Sequence, residues 1–427
     1  MKHTGTMLPR VGLAFALTWA LAAVACEGML DVSDPSRYLD EALDDPRAFP
    51  SLANGVEGRL HQQVPNLVIY TGLLSDEFMH TGTWTEYEDG DKGRLRQGDN
   101  LSASEATDLT LVRTEAQQAE ERFVRVLGED AYNEDFTARV KVIEGWANLL
   151  LAQATCEAVL EANGPAVADT AVYQAAIATL TRGLEIATQS NATDFVHLAR
   201  AGRARANLMI GNYDAAYADA QTVPDDFLYT AKFSEQGTAN SLVTLNHYTE
   251  NKAAGLDSRR WSQVDTTAGF LIDTWSGELD QRVKIVHRVG NRLGVDGRTL
   301  FYSHDKYTVR ASPIPMTHGR EMRLIEAEVH WRKGELDQAV AKMNVVRATV
   351  SLPPLTNPAT SEGVFEMLLE ERFVTLFLEG QRANDLYRFG LFPTVIGTGY
   401  NTKFQLPSVE VRNNPSTPLP RPCPRVS

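Results

Sequence analysis

Two stretches of sequence decide the fold: ARANLMIGNYDAAYADAQTV at residues 204–223 and AEVHWRKGELDQAVAKMNVV at residues 327–346. The same residue types recur in both at the same spacing: Ala204, Gly211, Asp214, Ala216 and Val223 in the first, and Ala327, Gly334, Asp337, Ala339 and Val346 in the second. The glycine supplies the left-handed residue that ends one helix, and the aspartate caps or enters the next. The alanines let the two backbones come close. The pattern predicts two antiparallel helix pairs of the tetratricopeptide kind.

Helical periodicity extends through the rest of the chain, and the alternation typical of strands is scarce. Residues 138–160 are predicted to form one long helix and residues 171–187 a second, which makes a third helical hairpin. We therefore expect an all-α protein with a tetratricopeptide-like scaffold at about 115–223 and 318–390. The segments at about 61–110 and 224–312 are rich in Gly, Asp, Asn and Thr. They are predicted to be long loops on which ligand binding occurs.

The charge and the motifs exclude several classes of protein. The formal net charge is -14, the pI is about 5.2, and no run of Lys or Arg occurs, which argues against a nucleic-acid-binding surface. The sequence has no zinc-protease, nucleophile-elbow, phosphate-loop or dinucleotide motif. We accordingly predict no enzyme activity and no cofactor. The acidic run at residues 86–91 is interpreted either as a solvated turn or as a calcium-binding loop.

The N-terminus has the pattern of an exported lipoprotein. Lys2 and Arg10 precede the apolar run VGLAFALTWALAAVA at residues 11–25, which is too short for a comfortable membrane span. The run leads directly into Cys26, as in a bacterial lipobox. Residues 1–25 are therefore predicted to be a signal peptide and Cys26 the lipid anchor that tethers residues 26–427, one domain, to a membrane. The alternative is a plain secreted protein.

The two other cysteines give less information. Cys156 lies in an apolar run and is predicted to be a small core residue, whereas Cys423 lies in the proline-rich tail at residues 415–427. A disulfide between them remains open at this stage.

A charged stretch near the C-terminus, EERFVTLFLEGQRANDLYRFG at residues 370–390, has the apolar spacing of a single long helix. Gly380 predicts a bend or a close backbone approach within it. The spacing places Glu379 beside Arg382 and Asp385 beside Arg388. We predict a partly buried ion-pair network made of Glu371, Arg372, Glu379, Arg382, Asp385 and Arg388.

The order of short motifs along the chain resembles the RagB/SusD family of outer-membrane nutrient-binding lipoproteins. The resemblance rests on these stretches, in order: MLDVSDP at 29–35, LDQR at 279–282, KY at 306–307, LIEAE at 324–328, MNVVR at 343–347, the charged stretch at 370–390, and LP, EV and NP at 406–407, 410–411 and 414–415. His318 stands where the family usually has an arginine, and residues 383–384 replace a commoner aromatic pair.

The resemblance implies a function. Such proteins capture a nutrient, typically an oligosaccharide or polysaccharide, without altering it. They sit on the outer membrane facing the cell exterior, as a lid on a SusC-like TonB-dependent transporter barrel. Two other classes stay open: a tetratricopeptide scaffold lipoprotein that binds proteins or peptides, and a glycosidase that uses a carboxylate pair.

Sugar rings stack on aromatic side chains while neighbouring polar groups satisfy their hydroxyls. Two stretches, 73–91 and 246–275, combine these residue types. The predicted ligand-binding residues are Asp76, Trp84, Tyr87, Tyr248, Arg260, Trp261 and Trp275. For Trp275, in the apolar sequence GFLIDTW, a place in the core is favoured over a place in a binding surface.

Overall fold

The structure is a computed structural model that describes residues 40–96, 100–246, 254–256, 269–286, 293–417 and 423. The chain divides into two compact units, Met1–Ala48 and Phe49–Ser427. The described residues of the first unit form two short 3-10 helices, Asp40–Asp44 and Pro46–Ala48. Cys26, the predicted lipid anchor, lies outside the described residues. All elements discussed below belong to the second unit.

Helices dominate the second unit. They are α1 (Phe49–Leu73), α2 (Thr85–Asp91), α3 (Asn100–Leu127), a 3-10 helix (Gly128–Asn133), α4 (Asp135–Ala154), α5 (Asp169–Gln189), α6 (Thr193–Met209), α7 (Tyr213–Ala220), α8 (Ser241–Leu245), α9 (Gly319–Arg332), α10 (Leu336–Ala348), α11 (Ser361–Thr375), α12 (Arg382–Arg388), α13 (Phe392–Val395) and α14 (Ser408–Asn413). The predicted all-α class is confirmed.

Short strands fill the connections. They are β1 (Phe78–His80), β2 (Glu157–Val159), β3 (Ala166–Ala168), β4 (Leu228–Ala231), β5 (Ala254–Leu256), β6 (Phe270–Ile272), β7 (Leu279–Val286), β8 (Ser303–His304) and β9 (Ile314–His318). They pair antiparallel as β1–β5, β2–β3, β4–β9 and β6–β7–β8. These small sheets tie the irregular segments to the helices.

The two repeats predicted from the sequence are present, and they pack against each other. Helices α6 and α7 form the first pair and α9 and α10 the second, with Gly211 at φ +80° and Gly334 at φ +75° in the turns. One apolar cluster joins them; its buried members are Ala201, Ala204, Leu208, Ala216, Ala220, Val223, Met322 and Ile325. The scaffold, interrupted in sequence, is therefore continuous in space.

The predicted helix at residues 138–160 is too long by six residues. Helix α4 ends at Ala154, and the next residues turn into strand β2. Thr155 is extended (φ −116°, ψ 151°), and Cys156 N donates to Phe404 O at 3.1 Å. The apolar residues after Ala154 suit either structure, and pairing with β3 and the C-terminal segment selects the strand. Residues 171–187 are helical, within α5.

The charged stretch at 370–390 is not one helix, and this prediction was wrong. Helix α11 ends at Thr375 and α12 begins at Arg382. Between them Leu378 has φ +54° and Gly380 φ +74°, backbone conformations that cannot continue a helix. The predicted bend is therefore present, whereas a Cβ on Gly380 would make only ordinary van der Waals contact, 3.7 Å from the Cα of Val68 in α1.

The segment predicted as a loop at 61–110 is largely helical. Helix α1 continues to Leu73 with Pro65 inside it, and α3 begins at Asn100. Among the residue types that suggested a loop, Thr71 and Gly72 are buried in α1, whose residues 67–73 are all buried. Among the described residues between α1 and α3, the irregular ones are 74–77, 81–84 and 92–96. Among the described residues, none of the helices combines the length and apolarity needed to span a membrane.

The two cysteines left open by the sequence are joined. Cys156 and Cys423 form a disulfide with a Cα–Cα distance of 5.8 Å. Cys156 is consequently not the core thiol that its apolar neighbours suggested; it follows α4 and connects this part of the fold to the tail.

Candidate functional site

Trp84 stands at the surface on a turn that the fold holds firmly. The turn, residues 81–84, follows β1 and precedes α2, and Trp84 occupies the N-cap position of that helix. Its side chain is 41% exposed. The indole meets the ring of Tyr87 edge to face, with centroids 5.6 Å apart and an interplanar angle of 76°. The Trp84 side chain is therefore exposed to solvent and held in place by its contact with Tyr87.

Tyr87 supports Trp84 from the interior and is not itself at the surface. It is buried and contacts Tyr70 edge to face at 5.9 Å and His80 at 6.3 Å between centroids. Tyr70 in turn meets Phe404 at 5.7 Å. Tyr87 thus orients Trp84 from below, and its predicted place in direct contact with ligand does not agree with its burial.

A second loop, residues 293–300, packs against the Trp84 turn. Asp296 N donates to Thr81 O at 3.2 Å, and a Cβ on Gly294 would lie 2.2 Å from that same oxygen. The carboxylate of Asp296 accepts from the backbone N–H groups of Arg298 and Thr299, both at 3.0 Å. The loop therefore brings polar groups, including the exposed Arg298, to the same part of the molecule as Trp84.

The residues of this loop were absent from the sequence-based set. Val295, Asp296 and Gly297 form a recognisable turn signal. Nothing in their own sequence indicates contact with residue 81, which depends on long-range pairing.

Asp76 was predicted to bind ligand, and the structure uses it otherwise. Its carboxylate is buried and receives two hydrogen bonds from the Arg382 guanidinium, at 2.6 and 2.8 Å. A carboxylate held in this way belongs to the structural ion-pair network. The residues next to Asp76 in the sequence resemble a surface loop, so the sequence did not indicate that Asp76 forms a buried ion pair.

Trp275 is not a core residue, contrary to the sequence-based interpretation. Its side chain is 38% exposed on the turn between β6 and β7. Asp273 N donates to Glu278 O at 2.8 Å across this turn, and Gly277 has φ +73°. The apolar run before Trp275 fills β6, and the chain then reverses at the surface. Among the described residues, no ring contact joins Trp275 to Trp84.

The other predicted ligand-binding residues, Tyr248, Arg260 and Trp261, lie outside the described residues. They stay predictions. The acidic run at 86–91 lies entirely in α2, where Glu88 pairs with Lys92. Within the described ranges, no cluster of three or more His, Cys, Asp or Glu side chains has the arrangement of a metal site.

The charged residues of 370–390 form buried ion pairs, but with partners from elsewhere in the chain. Arg372 donates two hydrogen bonds to Asp385, at 2.8 and 2.9 Å, and Arg388 donates to Asp385 and also to Glu328. The Asp385–Arg388 contact was expected from the spacing. The pairs hold the pKa of the Asp385 carboxyl below its ordinary value, although burial opposes this.

Glu379 does not pair with Arg382, and that prediction was wrong. Its carboxylate binds Lys306 at 2.7 Å and His318 at 3.0 Å. Burial raises the pKa of Glu379, but the interactions with Lys306 and His318 outweigh burial and lower the pKa to about 2. His318, which departs from the commoner arginine, therefore retains a place in the network.

Several motifs quoted for the family resemblance meet at Glu371. Arg282 binds Glu371 at 2.6 Å and Asp280 at 2.6 Å, and Arg347 binds Glu371 at 2.6 Å. Arg347 also donates to both oxygens of Asp273 at 2.9 Å. These motifs hold the last helices against the β6–β7–β8 sheet and serve the fold.

Comparisons with known proteins agree with this architecture. The sequence model of the SusD family matches residues 300–416. No curated protein matches the chain significantly in sequence. Solved structures with a similar fold include a SusD superfamily protein from Parabacteroides distasonis, with a TM-score of 0.67 and 13% identity over 87% of this chain and 98% of that one.

Two further structures come from Bacteroides vulgatus. A SusD superfamily protein has a TM-score of 0.65 and 15% identity, covering 86% of this chain and 98% of its own. A SusD-like carbohydrate binding protein has a TM-score of 0.63 and 12% identity, covering 80% and 83%. The fold and site thus define a helical-repeat protein with irregular insertions. Residues 300–416 match the SusD family model, and the chain shares its fold with SusD superfamily structures.

Proposed function

We propose that the protein is a non-catalytic, lipid-anchored binding protein of the outer membrane that captures an oligosaccharide or polysaccharide. The observation that carries this proposal is Trp84, exposed and fixed by Tyr87 beside the polar loop at 293–300. An indole face stacks on the C–H face of a sugar ring, and Arg298 and the backbone of the loop supply partners for hydroxyl groups. The similarity to a SusD-like carbohydrate binding protein supports this ligand class.

Delivery to a SusC-like TonB-dependent barrel and tethering through Cys26 complete the proposal. Both follow from the family resemblance and the N-terminal sequence. Co-purification of the barrel with this protein tests the first. Metabolic labelling with a palmitate analogue tests the second, since Cys26→Ala removes the lipid-bearing thiol and should abolish the label.

The Trp84→Ala variant tests glycan binding directly. We expect it to lose retardation in affinity electrophoresis on the polysaccharides that retard the unaltered protein, because the stacking surface is gone. Thermal stability should change little, since Trp84 is 41% exposed. The matched control is Tyr387→Ala, which removes an aromatic side chain of equal exposure, 41%, from helix α12. The proposal would be contradicted if Trp84→Ala, like Tyr387→Ala, were retarded as strongly as the unaltered protein on every glycan that retards it.

One observation favours the tetratricopeptide-scaffold alternative. A cleft of about 780 Å³ lies where the turns of the two repeats meet, lined by Tyr213, Trp331 and Lys333 among others. The Trp331 ring stacks on Phe365 at 4.6 Å between centroids, and its N–H donates to Ser361 O at 2.9 Å. Capture of peptides at this cleft, with no glycan retained by the Trp84 site, would favour the alternative.

A further inference from the structure

A second groove, with different chemistry, has no lining residue in the Trp84 turn. Its walls are helix α3, the β2–β3 hairpin and the segment 406–410, and its volume is about 730 Å³. This volume is in the range of pockets that hold small ligands. Leu111 and Val409, which line the groove, are 43% and 45% exposed, so the walls offer apolar surface.

Arg113 lines this groove as a buried cation without a carboxylate partner. Its side chain is only 9% exposed, and its guanidinium makes one hydrogen bond, from Nη1 to Val159 O at 3.3 Å. In the part of the chain that the structure describes, Arg113 has no carboxylate within 4.0 Å. Burial lowers the pKa of the guanidinium, as expected for a charge removed from water without full compensation.

The nearby carboxylates do not serve Arg113. Glu144 is bound by Lys141 at 2.9 Å and by the amide of Gln117 at 2.7 Å. Glu161 attracts Arg113 electrostatically but lies beyond ion-pair distance, on the exposed turn of the hairpin. Every other buried arginine discussed above is paired with a carboxylate. The guanidinium of Arg113 thus keeps donors available toward the groove.

We propose that this groove binds a small ligand through a carboxylate that pairs with Arg113. An arginine binds a carboxylate through two parallel hydrogen bonds, which matches its planar donors and would neutralise its buried charge. The carboxylates of Glu157, Glu161 and Glu410 also line the groove. They repel a polyanion, so the ligand carries one carboxylate on an otherwise neutral or cationic body. A single uronic acid residue and a short peptide both meet this description.

Titration calorimetry with the full chain tests the proposal. The probes are methyl glucuronoside, its methyl ester, the dipeptide alanyl-lysine and trigalacturonate. We expect at least one of the two monocarboxylates to bind, trigalacturonate to bind more weakly, and the ester to bind at least tenfold more weakly than the acid. The sugar and peptide arms identify the source of the carboxylate.

Variants locate the binding. Arg113→Gln should weaken the bound monocarboxylate at least tenfold, and Arg113→Lys should weaken it less because the charge remains. Arg125→Gln removes the same charge from an exposed position of α3 and should have no effect. Leu111→Trp places a large ring at the exposed mouth and should block binding even if Arg113→Gln does not fold.

The proposal is overturned if neither monocarboxylate binds at millimolar concentration, if acid and ester bind equally, or if folded Arg113→Gln binds as the unaltered protein does. It does not depend on the glycan site. Trp84→Ala should leave carboxylate binding unchanged, so failure at one site is distinguishable from failure at the other.

Discussion

The guanidinium of Arg382 binds the carboxylate of Asp76, a residue 306 positions earlier in the chain, at 2.6 and 2.8 Å. Both side chains are buried, and the guanidinium also lies 4.5 Å above the ring of Phe373. The pair connects the loop after α1 to the first turn of α12. Removing Arg382 takes two charge-assisted hydrogen bonds from the buried carboxylate of Asp76, which costs far more than an exposed pair is worth.

Arg382→Ala should therefore lower the free energy of unfolding by more than about 2 kcal/mol. Urea denaturation at pH 7 measures this. The double variant Asp76→Asn with Arg382→Ala should be less destabilised than the single variant, since the buried carboxylate that Arg382 binds is then replaced by a neutral amide. A denaturation midpoint near that of the unaltered protein would contradict the buried network.

Glu77, next to Asp76, is a buried carboxyl whose pKa is set mainly by burial, whereas Asp76 is held by Arg382. Burial raises its pKa to about 8, although the N–H of Leu378 donates to it at 2.8 Å. In the unfolded chain the carboxyl has its ordinary pKa near 4.5. Between these two values the folded state holds a proton that the unfolded state has lost, so this group lowers stability as the pH rises.

Glu77→Gln should remove that dependence. As the pH rises from 5 to 8, stability should fall less steeply in the variant than in the unaltered protein, by at most about 1.4 kcal/mol per pH unit. Glutamine keeps an oxygen that accepts from the N–H of Leu378. Denaturation midpoints measured across this interval give the slope, and parallel slopes would show that Glu77 is ionised in the folded protein.

At the scale of elements, helices α4 and α5 cross with glycines at the contact. A Cβ on Gly145 would lie 2.5 Å from Cγ of Leu180 and 3.2 Å from its backbone nitrogen. A Cβ on Gly183 would lie 3.3 Å from Cα of Val142. The two backbones approach so closely that larger side chains have no space.

Gly145→Val should destabilise the protein by about 1–3 kcal/mol, because the added atoms force the helices apart. The matched control is Gly55→Val, in the middle of α1, where a Cβ meets nothing within 4 Å. We expect that control to be close to neutral. Thermal denaturation measures the stability of both variants relative to the unaltered protein. Equal losses of stability in the two variants would contradict a close crossing at Gly145.

The elements that the sequence predicted correctly are those defined by local signals. The repeats at 204–223 and 327–346 carry their own turn glycines, and both helix pairs form where expected. The wrong predictions occurred where contacts with residues far away in sequence determine the local structure. Helix α4 stops at Ala154 because residues 157–159 pair with 166–168, and the break at 376–381 depends on contacts with α1. The spacing of apolar residues predicts neither the end of α4 nor the break at 376–381.

At the scale of the whole molecule, distant segments are brought together by ion pairs, small sheets and one covalent bond. Prediction of the candidate site was limited at this scale. The exposure of Trp84 could be inferred from its polar neighbours, but the burial of Tyr87 and the pairing of Asp76 with Arg382 could not, because both depend on residues far away in sequence. Nothing in the sequence indicated Arg113, because only the structure shows that this residue has no carboxylate within ion-pair distance among the described residues.

Breaking the Cys156–Cys423 bond tests how much the covalent link contributes. The cysteines are separated by 267 positions, and such a link restricts the unfolded chain strongly. The variant with both cysteines changed to serine should lose about 2–5 kcal/mol of stability. Urea denaturation of the unreduced variant and unaltered protein gives the difference, with reduced unaltered protein as the control. Coincident transitions of oxidised and reduced protein would contradict it.

The same bond has a consequence for cleaved forms of the protein. The segment at 224–312 lies between Cys156 and Cys423 in the chain. A protease that cuts once in this segment divides the polypeptide, yet both fragments stay linked through sulfur. The nicked molecule would keep the mass of the intact chain on a gel without reductant and separate into two bands with it. Limited proteolysis of this segment would thus not release half of the molecule.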